Sequence, residues 1–161
     1  MLIVTFAPYV PLTQTVSFRS DQTPLVIRGD KSLPLVTGAD SFPFLRFDSP
    51  KTGTTIEAMA FAGGAPTIDV AGAGEILIKG CLFTGGTAQV HADGSRLTVR
   101  VEGNLLEDAA SFGVDVAGST HLDARQNTIL RAGDCGVRLT GDSDGLLTAN
   151  IVAGSANFGI A

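Results

Sequence analysis

Short apolar segments, separated by glycines and small polar residues, run along the whole chain. In the second half they recur with a fixed period, because Asn104, Asn127 and Asn150 are evenly spaced. Each asparagine opens a unit with two mostly apolar positions. A second apolar segment carrying one glycine follows, at 112–116, 135–139 and 158–161, and a third segment leads to the next asparagine. A repeat unit of this length buries its apolar side only by stacking on its neighbour.

The first third of the chain has the same character without the same regularity. Its pattern predicts strands at 2–6, 15–18, 25–29, 35–38 and 44–47, with a turn around Pro8 and Pro11 between the first two. No helical period is sustained over the length that a helix needs. We therefore predict a single domain over 1–161, with irregular first coils at 1–53 and regular coils at 54–161.

A period of about 22–24 residues, with three short strands per unit and no helix, predicts an all-β fold. The segment at 58–64 is echoed one period later at 80–86, which extends the repeat toward the N-terminus. The arrangement that fits is a right-handed parallel β-helix, a solenoid of about six or seven coils. A leucine-rich horseshoe shares the period, but its leucine frame is absent here. The hexapeptide repeat of left-handed β-helices is also absent.

The repeated pattern Asn-apolar-apolar, followed by Gly-apolar-x-apolar, resembles the right-handed parallel β-helix family and its pectate-lyase-like group. The resemblance covers residues 54–161 well. The earlier residues share only the short strand-like segments and not the regular repeat. It implies the fold and says little about chemistry, since the family includes polysaccharide lyases, hydrolases, epimerases, esterases, adhesins, tailspikes and proteins without activity. Members usually cover the N-terminal end with a helix and close the other end, and neither feature is visible. We expect a fragment of a longer solenoid; the alternative is an end-to-end homo-oligomer through the open C-terminal coil.

Composition narrows the range of partners. The chain has 44% apolar and 17% charged residues, a net charge of −5 and no run of basic residues, so we expect no nucleic-acid partner. The apolar opening at 1–10 lacks a basic leader and is too short to span a bilayer, so it predicts a first strand and no membrane partner. The two cysteines occupy different positions in the repeat, which predicts two separate thiols. We expect an extracellular or cell-surface location.

Alignment of the units assigns a direction to each side chain of the middle strand. The inward columns are Ile68, Val90, Val114, Val137, Ile160 and Val70, Ala92, Val116, Leu139. Between them lies one outward column on an exposed face: Asp69, His91, Asp115, Arg138. Its members are about 4.8 Å apart.

The resemblance implies a catalytic role for such a column, because family enzymes that degrade acidic polysaccharides carry their catalytic groups on the outer face of one sheet. For a lyase, Arg138 would pair with the uronate carboxylate and His91 would be the base. Asp69 and Asp115 would hold Ca²⁺, the one cofactor that this interpretation implies. For a hydrolase, these two aspartates stand two coils apart, roughly 9.5 Å, at the wide end of the inverting range.

A simpler interpretation is that outward positions are polar because water is there, with alternating signs relieving repulsion. The third strand alternates in the same way, in the columns Lys79, Glu102, Arg125, Thr148; Leu77, Arg100, Asp123, Leu146; and Glu75, Thr98, His121, Asp144. The asparagine column has a structural explanation too, as a ladder of side-chain amides.

Three functions stay open at this point. The first is recognition of carbohydrate, with acidic polysaccharide as the candidate ligand, and the second is a polysaccharide lyase or inverting glycoside hydrolase. The third is a structural stalk or self-assembling surface module.

Overall fold

The protein is a stack of parallel coils. A computed structural model describes residues 1–19, 23–29 and 33–161, and within these ranges it contains strands and no helix. The strands are β1 (Leu2–Phe6), β2 (Tyr9–Leu12), β3 (Val16–Arg19), β4 (Leu25–Gly29), β5 (Leu35–Gly38), β6 (Leu45–Asp48), β7 (Thr54–Glu57), β8 (Ala60–Ala62), β9 (Ile68–Lys79), β10 (Leu82–Thr84), β11 (Ala88–Glu102), β12 (Leu105–Glu107), β13 (Phe112–Arg125), β14 (Thr128–Leu130), β15 (Cys135–Leu139), β16 (Asp144–Thr148), β17 (Ile151–Ala153) and β18 (Phe158–Ile160).

Two parallel sheets form the walls of this solenoid. In the described chain, the short-strand sheet has one strand from each of seven coils, in the order β17-β14-β12-β10-β8-β5-β2. The long-strand sheet contains the other strands. In the coils of β9, β11 and β13, the predicted second and third strands are one continuous strand with a register irregularity at its bend.

The outer surface thus has three faces. The short-strand face covers the short-strand sheet. The middle face covers β3, β6, β15, β18 and the N-terminal halves of β9, β11 and β13. The third face covers β1, β4, β7, β16 and the C-terminal halves of the long strands. At the bend of β13, Gly118 has φ +68°, and a Cβ there would lie 2.7 Å from the carbonyl oxygen of Gly94.

The interior follows the predicted columns. Ile68, Val90, Val114, Val137 and Ile160 are in register, and the first four are completely buried. The rings of Phe61 and Phe83 stack with centroids 5.1 Å apart, and Phe18 and Phe47 stack at the same distance. The predicted parallel solenoid of about seven coils is confirmed.

The first coils are irregular in length but keep the same stacking. Tyr9 pairs with Leu35 and Val16 with Leu45, so the coils that join these pairs are longer than the regular ones and hide the period in the sequence. The predicted turn is confirmed at Pro8, which lies in a bend between β1 and β2, and is wrong at Pro11, which lies within β2. This strand pairs only with β5 among the described strands, and a proline is tolerated in such an edge strand.

The asparagines form a hydrogen-bonded ladder at the corner before the short strands. Asn104 Nδ2 donates to Asn127 Oδ1 at 3.0 Å, and Asn127 Nδ2 donates to Asn150 Oδ1 at 2.9 Å. The same Oδ1 atoms accept the backbone N–H of the preceding asparagine at 3.0 Å. Cys81 continues the column, with its backbone N–H 2.8 Å from Asn104 Oδ1.

The residue before each ladder position has a left-handed backbone, with φ between +54° and +62°: Gly80, Gly103, Gln126 and Ala149. Ala58, one coil before Gly80, has the same conformation, with φ +53°. Both cysteines are buried free thiols, as the sequence predicted, and burial raises the pKa of Cys81 to about 12.

Candidate functional site

The middle face carries one row of alternating charge. Asp69, His91, Asp115 and Arg138 stand in register on successive coils, and Arg46 extends the row by pairing with Asp69. Arg46 was not among the residues predicted from the sequence, although it precedes Asp69 by one full period. The five side chains cover four strand spacings, about 19 Å.

Hydrogen bonds connect the members of this row. Arg138 donates from Nε and Nη2 to the two carboxylate oxygens of Asp115, both at 2.8 Å. His91 Nδ1 lies 3.1 Å from Asp115 Oδ2, and Arg46 Nη1 donates to Asp69 Oδ2 at 3.0 Å. Among the described residues, Nε2 of His91 has no hydrogen-bond partner.

The prediction that this column is exposed is wrong for its two carboxylates. The side chains of Asp69 and Asp115 are 12% and 6% exposed, because neighbouring cationic side chains lie against them. His91 is 31% exposed. The column is therefore a partly buried network open to solvent mainly at its basic members.

Burial and ion pairing shift the pKa values of side chains in the row. Burial raises the pKa of Asp69 above its ordinary value, and the nearby Arg46 opposes this only in part. Burial also acts to raise the pKa of Asp115, but the hydrogen bonds from His91 and Arg138 outweigh it, so that pKa is lowered. The hydrogen bond to Asp115 raises the pKa of His91. Asp115 therefore stays ionised to lower pH, and His91 stays protonated to higher pH, than in an unfolded chain.

A cavity of about 270 Å³ opens beside His91 and Asp115. Its lining combines apolar and polar side chains: Ala65, Pro66, Thr87, Ala88, His91, Ser111, Phe112 and Asp115. The Arg138 guanidinium carbon lies 3.8 Å from the centroid of the Phe112 ring, which is a cation–π contact. Phe112 and Ser111 were not predicted as site residues from the sequence, because alignment of the strands does not show where a cavity lies between coils.

The row does not fit a calcium site. Ca²⁺ takes six to eight oxygen ligands, whereas Asp69 and Asp115 are occupied by arginine. Nowhere in 1–19, 23–29 or 33–161 do three or more acidic, histidine or cysteine side chains form a group that could hold a metal ion.

The third face gives a comparison for the middle face. Its charges also pair between coils, as in Lys79 with Glu57 at 3.0 Å and Arg100 with Glu75 at 3.2 Å. His121 and Asp144 pair at 2.7 Å with 44% and 77% of their side chains exposed. Alternating charge is therefore general in this solenoid. Asp123 on the third face is also nearly buried beside Arg125, and a cavity adjoins Arg125 as well. The middle face differs because two buried carboxylates lie in one row and its cavity has an aromatic residue, Phe112, in the lining.

Comparison with family models decides the family. The model described as "Right handed beta helix region" matches residues 47–161, which is most of the chain. The chain belongs to the right-handed β-helix family.

Membership in the right-handed β-helix family agrees with the parallel solenoid and with the asparagine ladder inside the matched region. The pectate-lyase-like subgroup stays a prediction. Neither the curated proteins nor the solved structures provide a significant match to the chain. In its described ranges, this β-helix protein contains no helix long and apolar enough to cross a membrane.

Proposed function

We propose that the middle face binds carbohydrate in the cavity beside His91. The observation that carries this proposal is the mixed lining of the cavity, where the Phe112 ring and Pro66 adjoin Ser111, His91 and Asp115. A sugar ring also has both apolar and polar surfaces, since its C–H groups pack on apolar side chains while its hydroxyls need hydrogen-bond donors and acceptors. The row continues over about 19 Å, which suits an extended polymer.

Acidic polysaccharide is the ligand class that the charges favour. Within the row, the two arginines balance the two aspartates, so protonation of His91 decides whether the row is neutral or positive. Asp48, 3.3 Å from Arg46, and Asp93, which also raises the pKa of His91, add negative charge beside the row. Protonated His91 makes the row positive and attracts uronate or sulfate groups. Because the pKa of His91 is raised, this attraction is full at low pH and is lost as pH rises through that pKa. A polymer of this kind goes with an extracellular or cell-surface location, which is part of the proposal.

A retention assay on immobilised neutral and acidic polysaccharides tests the proposal. We expect Phe112→Ala to weaken retention about tenfold, on the scale of 1.4 kcal/mol, while Phe158→Ala leaves it unchanged. Phe158 stands in the same register column two coils further along, away from the cavity. Circular dichroism of both variants controls for folding.

Varying the pH in the same assay tests the contribution of His91 protonation to retention. Acidic polymers should be retained less as pH rises from 6 to 9, and His91→Gln should remove that dependence. Retention of neutral polymers should not change over this range. Equal retention by the parent and Phe112→Ala, or the absence of retention across the panel, would contradict binding at this cavity.

Catalysis is a second candidate, favoured by one observation. The two carboxylates of the row have pKa values moved in opposite directions, Asp69 upward and Asp115 downward. In such a pair, one carboxyl group can donate a proton while the other is an ionised base. The two residues stand two coils apart, and this separation of roughly 9.5 Å lies at the wide end of the carboxylate separations of inverting glycosidases. For a lyase, the free Nε2 of His91 would be the base.

Incubation with the same polysaccharides, with and without Ca²⁺, tests this candidate. New reducing ends without ultraviolet absorbance would indicate a hydrolase, and absorbance from unsaturated uronate would indicate a lyase. Asp115→Asn should abolish either signal. Retention without any cleavage would contradict catalysis and support binding as the function.

A further inference from the structure

Arg138 contacts the wall of the cavity beside His91 without lining it. The lining residues include Phe112 and Asp115, and Arg138 is not among them. From the next coil, its guanidinium reaches back to both of these side chains. It donates to the two carboxylate oxygens of Asp115 at 2.8 Å each, and its carbon lies 3.8 Å from the centroid of the Phe112 ring. One side chain therefore contacts two residues of the cavity wall from outside.

These contacts use properties that arginine has and lysine lacks. The planar fork of a guanidinium matches the two oxygens of a carboxylate, and its flat surface stacks on an aromatic ring. The Asp115 side chain is only 6% exposed, and a buried carboxylate needs such a partner. Because its charge is paired with Asp115 and its flat surface lies against Phe112, Arg138 is poorly placed to bind a uronate carboxylate, the role that the family resemblance implies.

We propose that Arg138 is a positioning residue of the carbohydrate site, which holds Phe112 and Asp115 in place and does not itself bind the ligand. This inference rests on the proposed function. The guanidinium keeps the Phe112 ring at the cavity, where part of the ring can contact a sugar. Recognition of acidic groups then belongs to His91, which lines the cavity.

Arg138 also limits the negative charge that Asp115 presents to His91. Asp115 Oδ2 lies 2.8 Å from Arg138 Nη2 and 3.1 Å from His91 Nδ1, so two cationic side chains share one oxygen. His91 also faces Asp69 on β9 and Asp93 on its own strand, and all three carboxylates raise its pKa. Without Arg138, the charge of Asp115 would act on His91 alone and raise that pKa further. Arg138 therefore helps to set the pH above which His91 loses its charge.

Retention of a neutral polysaccharide tests the effect on Phe112, because no ligand charge is involved. Arg138→Lys keeps the charge but should lower retention about threefold, on the scale of one cation–π contact. In the Phe112→Ala background, the same change should have no further effect, because the ring it acts through is gone. Arg125→Lys is the matched control and should leave retention unchanged. Arg125 makes the same two-bond pair on the third face, with Asp123 at 2.7 and 2.8 Å.

An NMR titration of the two histidines tests the effect on Asp115 without any ligand. In Arg138→Gln, His91 should lose its proton at a higher pH than in the parent chain. His121 is the internal control, because it pairs with Asp144 on the third face and should titrate as in the parent. Circular dichroism checks that every variant is folded.

Three results would overturn the proposal. The first is unchanged retention of neutral polymer by folded Arg138→Lys, and the second is an undiminished effect of this change in the Phe112→Ala background. The third is titration of His91 at the same or a lower pH in Arg138→Gln. Failure of the proposed function gives a different result, because the parent would then retain no polymer or would be matched by Phe112→Ala. The titration would still decide whether Arg138 acts on His91 through Asp115.

Discussion

At the scale of single residues, Asn127 shows how one side chain connects three coils. Its Oδ1 accepts from the backbone and side chain of Asn104, and its Nδ2 donates to Asn150 Oδ1 and to the Val101 carbonyl at 2.7 Å. It is almost completely buried. A buried polar side chain is stable only with such partners, so the ladder satisfies both its own amides and the backbone of a tight corner.

Replacing Asn127 with leucine should therefore destabilise the protein. The Asn104 N–H and the Val101 carbonyl would lose their partners, at a cost on the order of 1–3 kcal/mol. Chemical denaturation should show a lower midpoint with an unchanged slope. Asn157→Leu is the control, because Asn157 also hydrogen bonds to Asp134, but on the exposed surface. An unchanged midpoint for Asn127→Leu would show that the ladder does not stabilise the stack.

Residue-level predictions from the sequence succeeded where the period alone decides. The repeat spacing was enough to align the row on the middle face and the inward columns. It was not enough to predict that Asp69 and Asp115 are nearly buried, because burial depends on the length and direction of the neighbouring arginines. The cavity lined by Phe112 depends on the path of the corners, which strand alignment does not contain.

At the scale of strands, the glycine in each second segment has a packing role. Gly113 and Gly136 are stacked near the corner where β13 and β15 begin. A Cβ on Gly113 would lie 2.6 Å from Ile129 Cγ2 and 2.7 Å from the Gly136 carbonyl oxygen. The long-strand sheet can therefore approach the short-strand sheet closely only without a side chain here.

Gly113→Ala should disrupt this approach. Since the carbonyl of Gly136 belongs to the next coil, the contact is relieved only by separating coils, at a cost of about 1–3 kcal/mol. Gly159→Ala is the matched control at the same register position, because its Cβ would meet only Val152, at 3.8 Å. Thermal or chemical denaturation should show a clear loss for the first variant and almost none for the second. Equal losses would show that backbone entropy, rather than contact, explains the glycines.

The early strands show where prediction from the sequence reached its limit. Strands at 25–29 and 35–38 were predicted because each is a short apolar segment that ends in glycine, and the strand at 2–6 was predicted from its largely apolar sequence. The strand containing Pro11 was missed because proline usually marks a turn, and only its edge position permits it. The bends that join two predicted strands into β9, β11 and β13 were missed, because each bend contains a glycine and glycine also occurs where strands end.

At the scale of the whole molecule, one core supports three different surfaces. The inward columns are mainly apolar along the solenoid, although buried Thr54 stands in register with Ile76. The middle face carries a partly buried ion network beside a cavity, and the third face carries mainly exposed ion pairs together with the nearly buried Asp123. The short-strand face carries few charges. Because each coil contacts only its neighbours, outward positions can change without disturbing the core. Site residues must therefore be found on the outer faces. The repeat period identifies the fold, but it does not indicate which face carries a functional site.

Nearest-neighbour stacking also predicts a gradient of local stability. The strands β11 and β13 are long and have described neighbours on both sides, whereas β17 and β18 are short and have one described neighbour each. Local opening should be easiest where the fewest contacts are lost. Native-state hydrogen exchange should be slower in β11 and β13 than in β17 and β18 by at least roughly tenfold, equivalent to 1.4 kcal/mol. Identical protection across all coils would mean that the solenoid opens only as one unit, and the additive picture would then be wrong.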